Sequence, residues 1–522
     1  MESQRGKKVV FVAYQDQENL GVGYLSSILI SKGYQVETID FGKQKNEICE
    51  QVKKTDPLIV GFSLIFQYHI FWLRELAQHL RKSGVDAHFT VGGHYPSLRF
   101  KQVLDTVPEL NSVVRFEGEL TICKLVNNLI KNRDWRNIKG IAYRKNGKVF
   151  SNEPRPLIDD LNLLPFPFRS ENNRYQCMEK NYTFLIASRG CIRNCSFCSI
   201  RKFYQTAPGR LRRSRSPSNV VEEMKELHEK NDTSIFLFQD DNFLFPGRQG
   251  QKWISSFCDE VNNQGLSQEI LFKISCRPDE VNSTLFSKLK KIGLFLTYLG
   301  IESGNQTGLK IMNKRITVEE NIRAVKILNE LKISYDFGFM LFDPSSTFET
   351  IRKNVRFLRE ICGDGSAPAV FCKMVPYAGT EIEASLIREK RLKGSIINPD
   401  YDFLDARLDN LYSFLYQIFH KWIFSNTGML ARLRWHRFEI EVLKKFYPYA
   451  RGIPEYEEFL RTIISSSNEL LFSIVEQTTL IFERNGVAKQ KRLYELIGRL
   501  RTEHGKISLR LIKGMTEFQN QT

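Results

Sequence analysis

Hydrophobic positions along this chain fall into three successive rhythms. From residue 8 to about 120, short apolar runs alternate with stretches whose apolar residues recur every three or four positions. "KVVFVAY" (8–14), "YQVETID" (34–40), "LIVGFSLI" (58–65), "DAHFTVGG" (86–93) and "SVVRFEGE" (112–119) read as strands. "LGVGYLSSILISKG" (20–33) and "YHIFWLRELAQHLRKSG" (68–84) have helical spacing. Strands alternating with helices predict a parallel sheet covered on both faces. Ligands on such sheets sit beyond the carboxyl ends of the strands.

A hairpin pattern from residue 143 leads into a proline-rich stretch ending near 170, which reads as an extended linker. The second rhythm runs from about 182 to 390. Its strand candidates are "TFLIASR" (183–189), "SIFLFQDD" (234–241), "ILFKISCR" (270–277), "LFLTYLGIES" (294–303), "SYDFGFMLF" (334–342) and "AVFCKMVPY" (369–377). Six such units predict an open part-barrel, with its chemistry at the carboxyl strand ends as in complete barrels. Beyond about 400 the pattern is purely helical, and Tyr412, Phe414, Tyr416 and Phe419 read there as helix core. This tail is expected to cover the open side of the part-barrel.

Length and composition refine the picture. The 522 residues suggest about three domains. No stretch reaches the ~18 uninterrupted apolar residues of a membrane span, and the first residues lack a signal-peptide pattern. A cytoplasmic location with reduced thiols is the expectation. Lys and Arg outnumber Asp and Glu 76 to 59, a net charge of +17, densest at 488–513. Such a surplus attracts nucleic acid, anionic cofactors or anionic membrane, or simply solvates the surface.

Three of the ten cysteines lie within eight positions, Cys191, Cys195 and Cys198, in C-x3-C-x2-C directly after a strand. Soft thiolates select zinc, copper or iron–sulfur clusters. Structural zinc closes with four ligands, often as paired C-x2-C motifs, and this chain holds no second pair. Three thiolates suit a [4Fe–4S] cluster with one iron free of protein. The bland reading is three ordinary cysteines or a zinc knuckle completed by a distant His. Cys276 and Cys372 read as core.

With Phe197 before the last cysteine, this motif resembles that of the radical S-adenosylmethionine (SAM) enzymes. The resemblance implies that the open iron chelates SAM. It implies Asp240 and Asp241 ("FQDDNF") for the SAM ammonium and Arg277 ("SCRPD") for its carboxylate. It implies Glu302 for the ribose, with Gly300, Ser303 and Gly304 beside it ("LGIESGNQTGLKIMNK"). "FGFMLFDPSSTFET" (337–350) and "MVPYAGTEI" (374–382) are similar to strand ends near adenine.

The first segment resembles the cobalamin-binding domain fused to one radical-SAM subgroup. "ENLGVGYLSSILISKGYQV", "IVGFSLIF", "VGGHYPS" and "VVRFEGELT" carry this, with the linker "IDDLNLLPFPFR" (158–169). Glu18, Gly21, Ser63, Gly92, Gly93, His94 and Glu117 are its cobalamin-site candidates. Many cobalamin domains carry D-x-H-x-x-G, whose His ligates cobalt; here "DQENLG" puts Glu18 in that place. His-on binding is therefore not expected, and His94 is the fallback ligand.

The implied fold class is α/β. A Rossmann-like cobalamin domain spans 1–145, a linker 146–180, a radical SAM (β/α)6 part-barrel 181–395 and a helical domain 396–522. The implied activity is methyl transfer to an unactivated carbon, through a 5′-deoxyadenosyl radical and methylcobalamin. Cyclisation or ring rearrangement with the same cofactors is the alternative, and a non-catalytic basic metal- or nucleic-acid-binding protein the rival of another class. An external electron donor of flavodoxin or ferredoxin type is implied, with a small-molecule or peptide substrate. A tRNA methylthiotransferase would need three more cysteines early in the chain, where only Cys49 and Cys123 occur.

Overall fold

The computed structural model describes residues 8–15, 17–170, 175–485 and 490–519. Asp16 of the "DQENLG" match, four linker residues (171–174) and the first two positions of the basic patch lie outside the described residues.

Five parallel strands form the first sheet: β1 (Lys8–Ala13), β2 (Gln35–Asp40), β3 (Ile59–Ser63), β4 (His88–Gly92) and β5 (Ser112–Val114). Their spatial order is β2-β1-β3-β4-β5. An antiparallel hairpin, β6 (Ile141–Lys145) and β7 (Lys148–Ser151), extends the edge beside β5. The first sheet therefore runs to Ser151, and the hairpin belongs to it. Strands β1 and β3 are almost continuously buried, because helices cover both faces. β2 lies at the edge and alternates exposed and half-buried positions. The chain passes from β1 to β2 on one side and then to β3 on the other. This order reversal opens a crevice between the carboxyl ends of β1 and β3.

The second sheet begins with antiparallel β8 (Tyr175–Cys177) and β9 (Lys180–Leu185). A two-residue ladder, β10 (Ser188–Arg189) with β11 (Arg213–Ser214), sits above it. Four more parallel strands follow β9: β12 (Thr233–Phe238), β13 (Leu271–Cys276), β14 (Leu294–Glu302) and β15 (Ser334–Phe342). β16 (Cys372–Lys373) completes the order β16-β15-β14-β13-β12-β9-β8. Both edges are free of each other, so the barrel is open. The sixth strand has two residues where the apolar run suggested nine; Ala369 and Phe371 are buried in the core instead of laddered.

Four helices form the tail: Ala406–Phe424, Met429–Phe446, Ile453–Asn485 and Gln490–Gln519. The first flanks β16 at the open edge, with Phe419 5.8 Å from Phe371 and Tyr412 5.4 Å from Phe342, ring to ring. The second closes the amino ends of the barrel strands. Its Val442 packs with Ile235, Leu271 and Phe295, and its Arg437 donates to Asp336 Oδ1 at 2.9 Å. The third lies along helix Phe348–Cys362. Asn468 from it donates to the Cys362 and Ala367 carbonyls (2.7 and 2.9 Å) and accepts from the Ala369 amide (2.8 Å). All three bonds are buried. Asn468→Ala is expected to cost about 3 kcal/mol, because removal leaves backbone groups unpaired in the core. A lower melting temperature and faster proteolysis within residues 453–485 would check this.

Candidate active site

A cavity of about 540 Å³ lies between the carboxyl ends of β1, β3, β4 and β5 and the start of the second sheet. All seven residues singled out for the first domain reach its wall: Glu18, Gly21, Ser63, Gly92, Gly93, His94 and Glu117. Gly93 carries φ +119°, and a Cβ there would overlap the Leu64 carbonyl oxygen. Only glycine holds that turn without strain. His94 opens the short helix His94–Leu98 and stands 4.3 Å from the Phe203 ring. Its Nε2 is buried with no hydrogen-bond partner among the described residues, and burial pushes the imidazole down to about 4. His94 is therefore neutral at pH 7. The far wall comes from the barrel, including Arg189, Tyr204 and Asp241. A largely apolar, glycine-lined space with an orphaned imidazole fits a large macrocycle.

Two of the seven also have another task. Glu18 Oε2 accepts from Thr183 Oγ1 (2.6 Å), the Phe184 amide (3.1 Å) and Arg169 Nε (3.3 Å). Arg169 in turn donates to Glu223 at 2.7 Å. Glu117 accepts from Arg213 Nη1 through both oxygens at 2.9 Å and from the Ile158 amide at 2.7 Å. Arg189 reaches Glu117 (3.3 Å) and Glu119 (2.7 Å). These groups are about nine-tenths buried, so the seam between the domains is closed by buried ion pairs.

Arg189 leads into the cysteine loop. Gly190 (φ +85°) turns the chain where a side chain would strike the Leu211 carbonyl, and its amide donates to Asp241 Oδ2 at 2.9 Å. Ser196 anchors the far side, its amide donating to the Met312 carbonyl (3.0 Å) and its hydroxyl to Ile311 (2.7 Å). Burial pushes the Cys198 thiol up to about 12, with Cys195, Asp241 and Cys191 adding to the effect. Cys191, Cys195 and Asp241 are thus close enough to Cys198 to act on its charge. Arg277 Nη1 donates toward Cys195 Sγ at 3.8 Å, and the Arg193 amide toward Cys191 Sγ at 3.5 Å. Among the described residues no three His, Cys, Asp or Glu side chains are set to hold one ion. The donor set, three soft thiols with N–H donors toward two sulfurs, fits an iron–sulfur cluster.

The remaining candidates divide. Asp241 faces the cavity, and its enclosure by protein pushes the carboxyl up to about 6 against the pull of the Gly190 amide. Asp240 is turned away, both oxygens taken by the Ala187 amide and the Ser188 hydroxyl. Arg277 is engaged by Asp279 Oδ1 (2.9 Å) and the Lys314 carbonyl (2.6 Å) besides the cysteine. Glu302, at φ +67°, pairs with Lys314 Nζ at 3.1 Å, and a Cβ on Gly300 would press on both partners. Ser303 is fully buried among Asn305 and Asn354, a packing role. Phe197 packs against the barrel core. Cys276 is buried in that core; Cys372 is half-buried against it, its thiol directed at the Phe339 carbonyl.

Two families match this architecture. The B12 binding domain matches residues 6–126, and the radical SAM superfamily matches residues 185–358. The chain belongs to the cobalamin-dependent radical SAM enzymes. An uncharacterized methyltransferase of Pyrococcus horikoshii is 28% identical over 370 residues, 70% of this chain and 77% of the relative. An anaerobic magnesium-protoporphyrin IX monomethyl ester cyclase of Rubrivivax gelatinosus is 27% identical over 410 residues, 75% of this chain and 72% of that one. The solved structure of the cobalamin-dependent SAM radical enzyme OxsB superposes with a TM-score of 0.70 at 18% identity. It covers 98% of this chain and 84% of that chain, a likeness of fold.

The cofactors of this cobalamin-dependent radical SAM enzyme are a [4Fe–4S] cluster, SAM and cobalamin. Cys191, Cys195 and Cys198 would hold the cluster, and the glycine-lined cavity the corrin. Sequence reasoning missed Arg169, Arg189, Arg213, Glu119, Tyr204 and Lys314. Arg189 carries a local signal, since it precedes Gly190 and the first cysteine. Lys314 ends a quoted motif, but nothing local pairs it with Glu302.

Replacing Gly93 with Val should cut corrinoid uptake at least about tenfold while bound iron stays unchanged, because the backbone strain alone costs about 1–3 kcal/mol. Elemental analysis for cobalt and iron reads both. Arg189→Met should leave Glu117 and Glu119 short of a buried partner and destabilise the seam by about 3–5 kcal/mol, seen as a lower melting temperature.

Proposed function

We propose that this enzyme transfers a methyl group from SAM, by way of cobalamin, to an unactivated carbon of an organic substrate. One observation carries the reading. The wall of the glycine-lined cavity includes Arg189 and Asp241; Arg189 precedes Gly190, and Asp241 accepts from the amide of Gly190, the residue before the first cysteine. A corrin in the cavity and a cluster on the cysteines would thus meet across the domain seam. When bound, the cluster supplies reductive cleavage of SAM and the corrin supplies a methyl carrier.

The chain's own residues then have physical tasks. Glu302 and Lys314, a largely buried pair, hold a charged oxygen and a charged nitrogen ready for polar groups of SAM. Arg277 donates to a ligand sulfur and sets the charge around it. The ion-paired seam keeps the two sites in register and excludes water, so that a reactive carbon meets one partner. The cavity wall is largely apolar, and the Asp241 carboxyl and the Tyr14, Tyr24 and Tyr204 hydroxyls are among the acidic groups on it.

Cyclisation is the second reading, favoured by the likeness to the Rubrivivax cyclase. Products separate them. Methyl transfer yields S-adenosylhomocysteine and 5′-deoxyadenosine together; cyclisation yields 5′-deoxyadenosine without S-adenosylhomocysteine. In protein reconstituted without oxygen, about four irons and one cobalt per chain are expected. Cys195→Ala should lose the iron and all SAM cleavage and keep corrinoid. SAM cleavage by that variant would overturn the cluster assignment.

A further inference from the structure

The inner face of the barrel carries a polar cluster that the cofactor sites leave unused. On β14, Thr297, Leu299 and Ile301 are fully buried on the helix-covered side. Tyr298 points the other way. It is 36% exposed although two strands lie between it and the nearer sheet edge, so solvent reaches the inner face. Lys273 of β13 stands beside it, with Nζ 5.7 Å from the centre of the Tyr298 ring. Asp336 of β15 is the register partner of Tyr298. Helix Met429–Phe446 brings two arginines to the same place. Arg437 Nη1 donates to Asp336 Oδ1 at 2.9 Å, and Arg434 Nε lies 3.6 Å from that oxygen.

The charges here do not balance. Lys273, Arg434 and Arg437 gather at one carboxylate, Asp336, whose hydrogen bond goes to Arg437. The neighbouring carboxylates are held elsewhere: Glu302 by Lys314, Glu439 by His436, and Glu441 by Lys444 and the Ser334 hydroxyl. Arg434 Nε is buried with no hydrogen-bond partner among the described residues. Lys273 Nζ and Tyr298 Oη likewise make no hydrogen bond among the described residues. Burial pulls the Lys273 ammonium below the usual lysine range, with Arg434 adding to the effect and Asp336 opposing it. Donors left without an acceptor cost stability. Three of them converging on one solvent-reached space fit an oxygen anion, which supplies acceptors and negative charge together.

We propose that this cluster is a substrate subsite that takes an oxyanion, a carboxylate or a phosphate ester, on Lys273, Arg434 and Tyr298. The inference rests on the proposed function and names the substrate class of that same site. SAM does not account for the cluster. Lys273 precedes Arg277 by four residues and Tyr298 precedes Glu302 by four, roughly 13 Å along a strand at about 3.3 Å per residue. The carboxylate of SAM, expected at Arg277, belongs to the far end of that span. The substrate is then an organic acid or phosphate ester that lies along the barrel, its anion toward the amino ends and its reacting carbon toward the carboxyl ends. Lys273, Arg434 and Tyr298 are positioning residues, and no bond changes at them.

The test uses reconstituted holoenzyme saturated with SAM, with phenyl phosphate, benzoate and neutral benzyl alcohol as probes and saturation-transfer NMR as the reading. At least one of the two anions should bind and benzyl alcohol should not. Lys273→Met and Arg434→Met should each weaken that anion about tenfold or more, the worth of a hydrogen bond to a charged group. Lys252→Met, on the exposed side of helix Gly247–Asn263, removes the same charge and should stay within about twofold of the parent. Both lumen variants keep Arg437 on Asp336, so their melting temperature and their bound iron and cobalt should match the parent. Tighter phenyl phosphate identifies a phosphate ester, and tighter benzoate a carboxylate. The subsite is overturned, with the cofactors still in place, if neither anion binds, if either lumen variant binds as tightly as the parent, or if Lys252→Met loses as much. Absence of iron or cobalt from the reconstituted parent would instead overturn the proposed function, and the subsite with it.

Discussion

The architecture depends on the ion pairs closed inside the seam between the two sheets. Glu117 and Glu119 on one side meet Arg189 and Arg213 on the other, and Glu18 meets Arg169. Burying such charges gains little net stability, because desolvation offsets their attraction. Their effect is geometric. A buried carboxylate accepts only the arrangement that satisfies it, so one relative placement of the domains is favoured over its near neighbours. Arg189 also begins the cysteine loop and lines the cavity, so the placement that satisfies Glu117 fixes the cavity and the loop relative to each other.

Within each domain the backbone does the coarse positioning. The order reversal at β1 and β3 opens the crevice, and Gly93 narrows its floor. In the barrel, parallel strands deliver Asp241, Arg277 and Glu302 to one end. Side-chain pairs then set the charge. Arg277 and Lys314 are balanced by Asp279 and Glu302, so these two cations add little net charge to this end of the barrel.

Much of this was legible in the chain because buried strands impose an apolar period that turns interrupt. β15 runs from Ser334 to Phe342, the ends its apolar run suggested. Where a run left the sheet, the reading overshot. β5 stops at Val114, and Phe116 takes φ +63°, so "RFEGE" is a turn aimed at the seam. The glycines of the cavity were legible because their need is local. The partners of Glu18 and Glu117 were not, since Arg213 lies 96 residues from Glu117 and Thr183 lies 165 from Glu18. Asp240 and Asp241 show the same limit. Adjacent in sequence, they point to opposite sides of a strand end, and only contacts reveal that Asp241 is the one on the cavity.

The net charge of +17 takes a different meaning once the interior is resolved. Most of its buried arginines are matched by carboxylates: Arg169 by Glu18 and Glu223, Arg189 by Glu119, Arg215 by Glu223 and Arg277 by Asp279, while Arg115 donates to the Ser97 carbonyl and the Ser151 hydroxyl. Most of the surplus therefore lies on the outside. There it acts over a Debye length of ~10 Å at 0.1 M salt. That reach is too short for a uniform surplus to select one partner. Selection needs cations gathered around something else a partner wants.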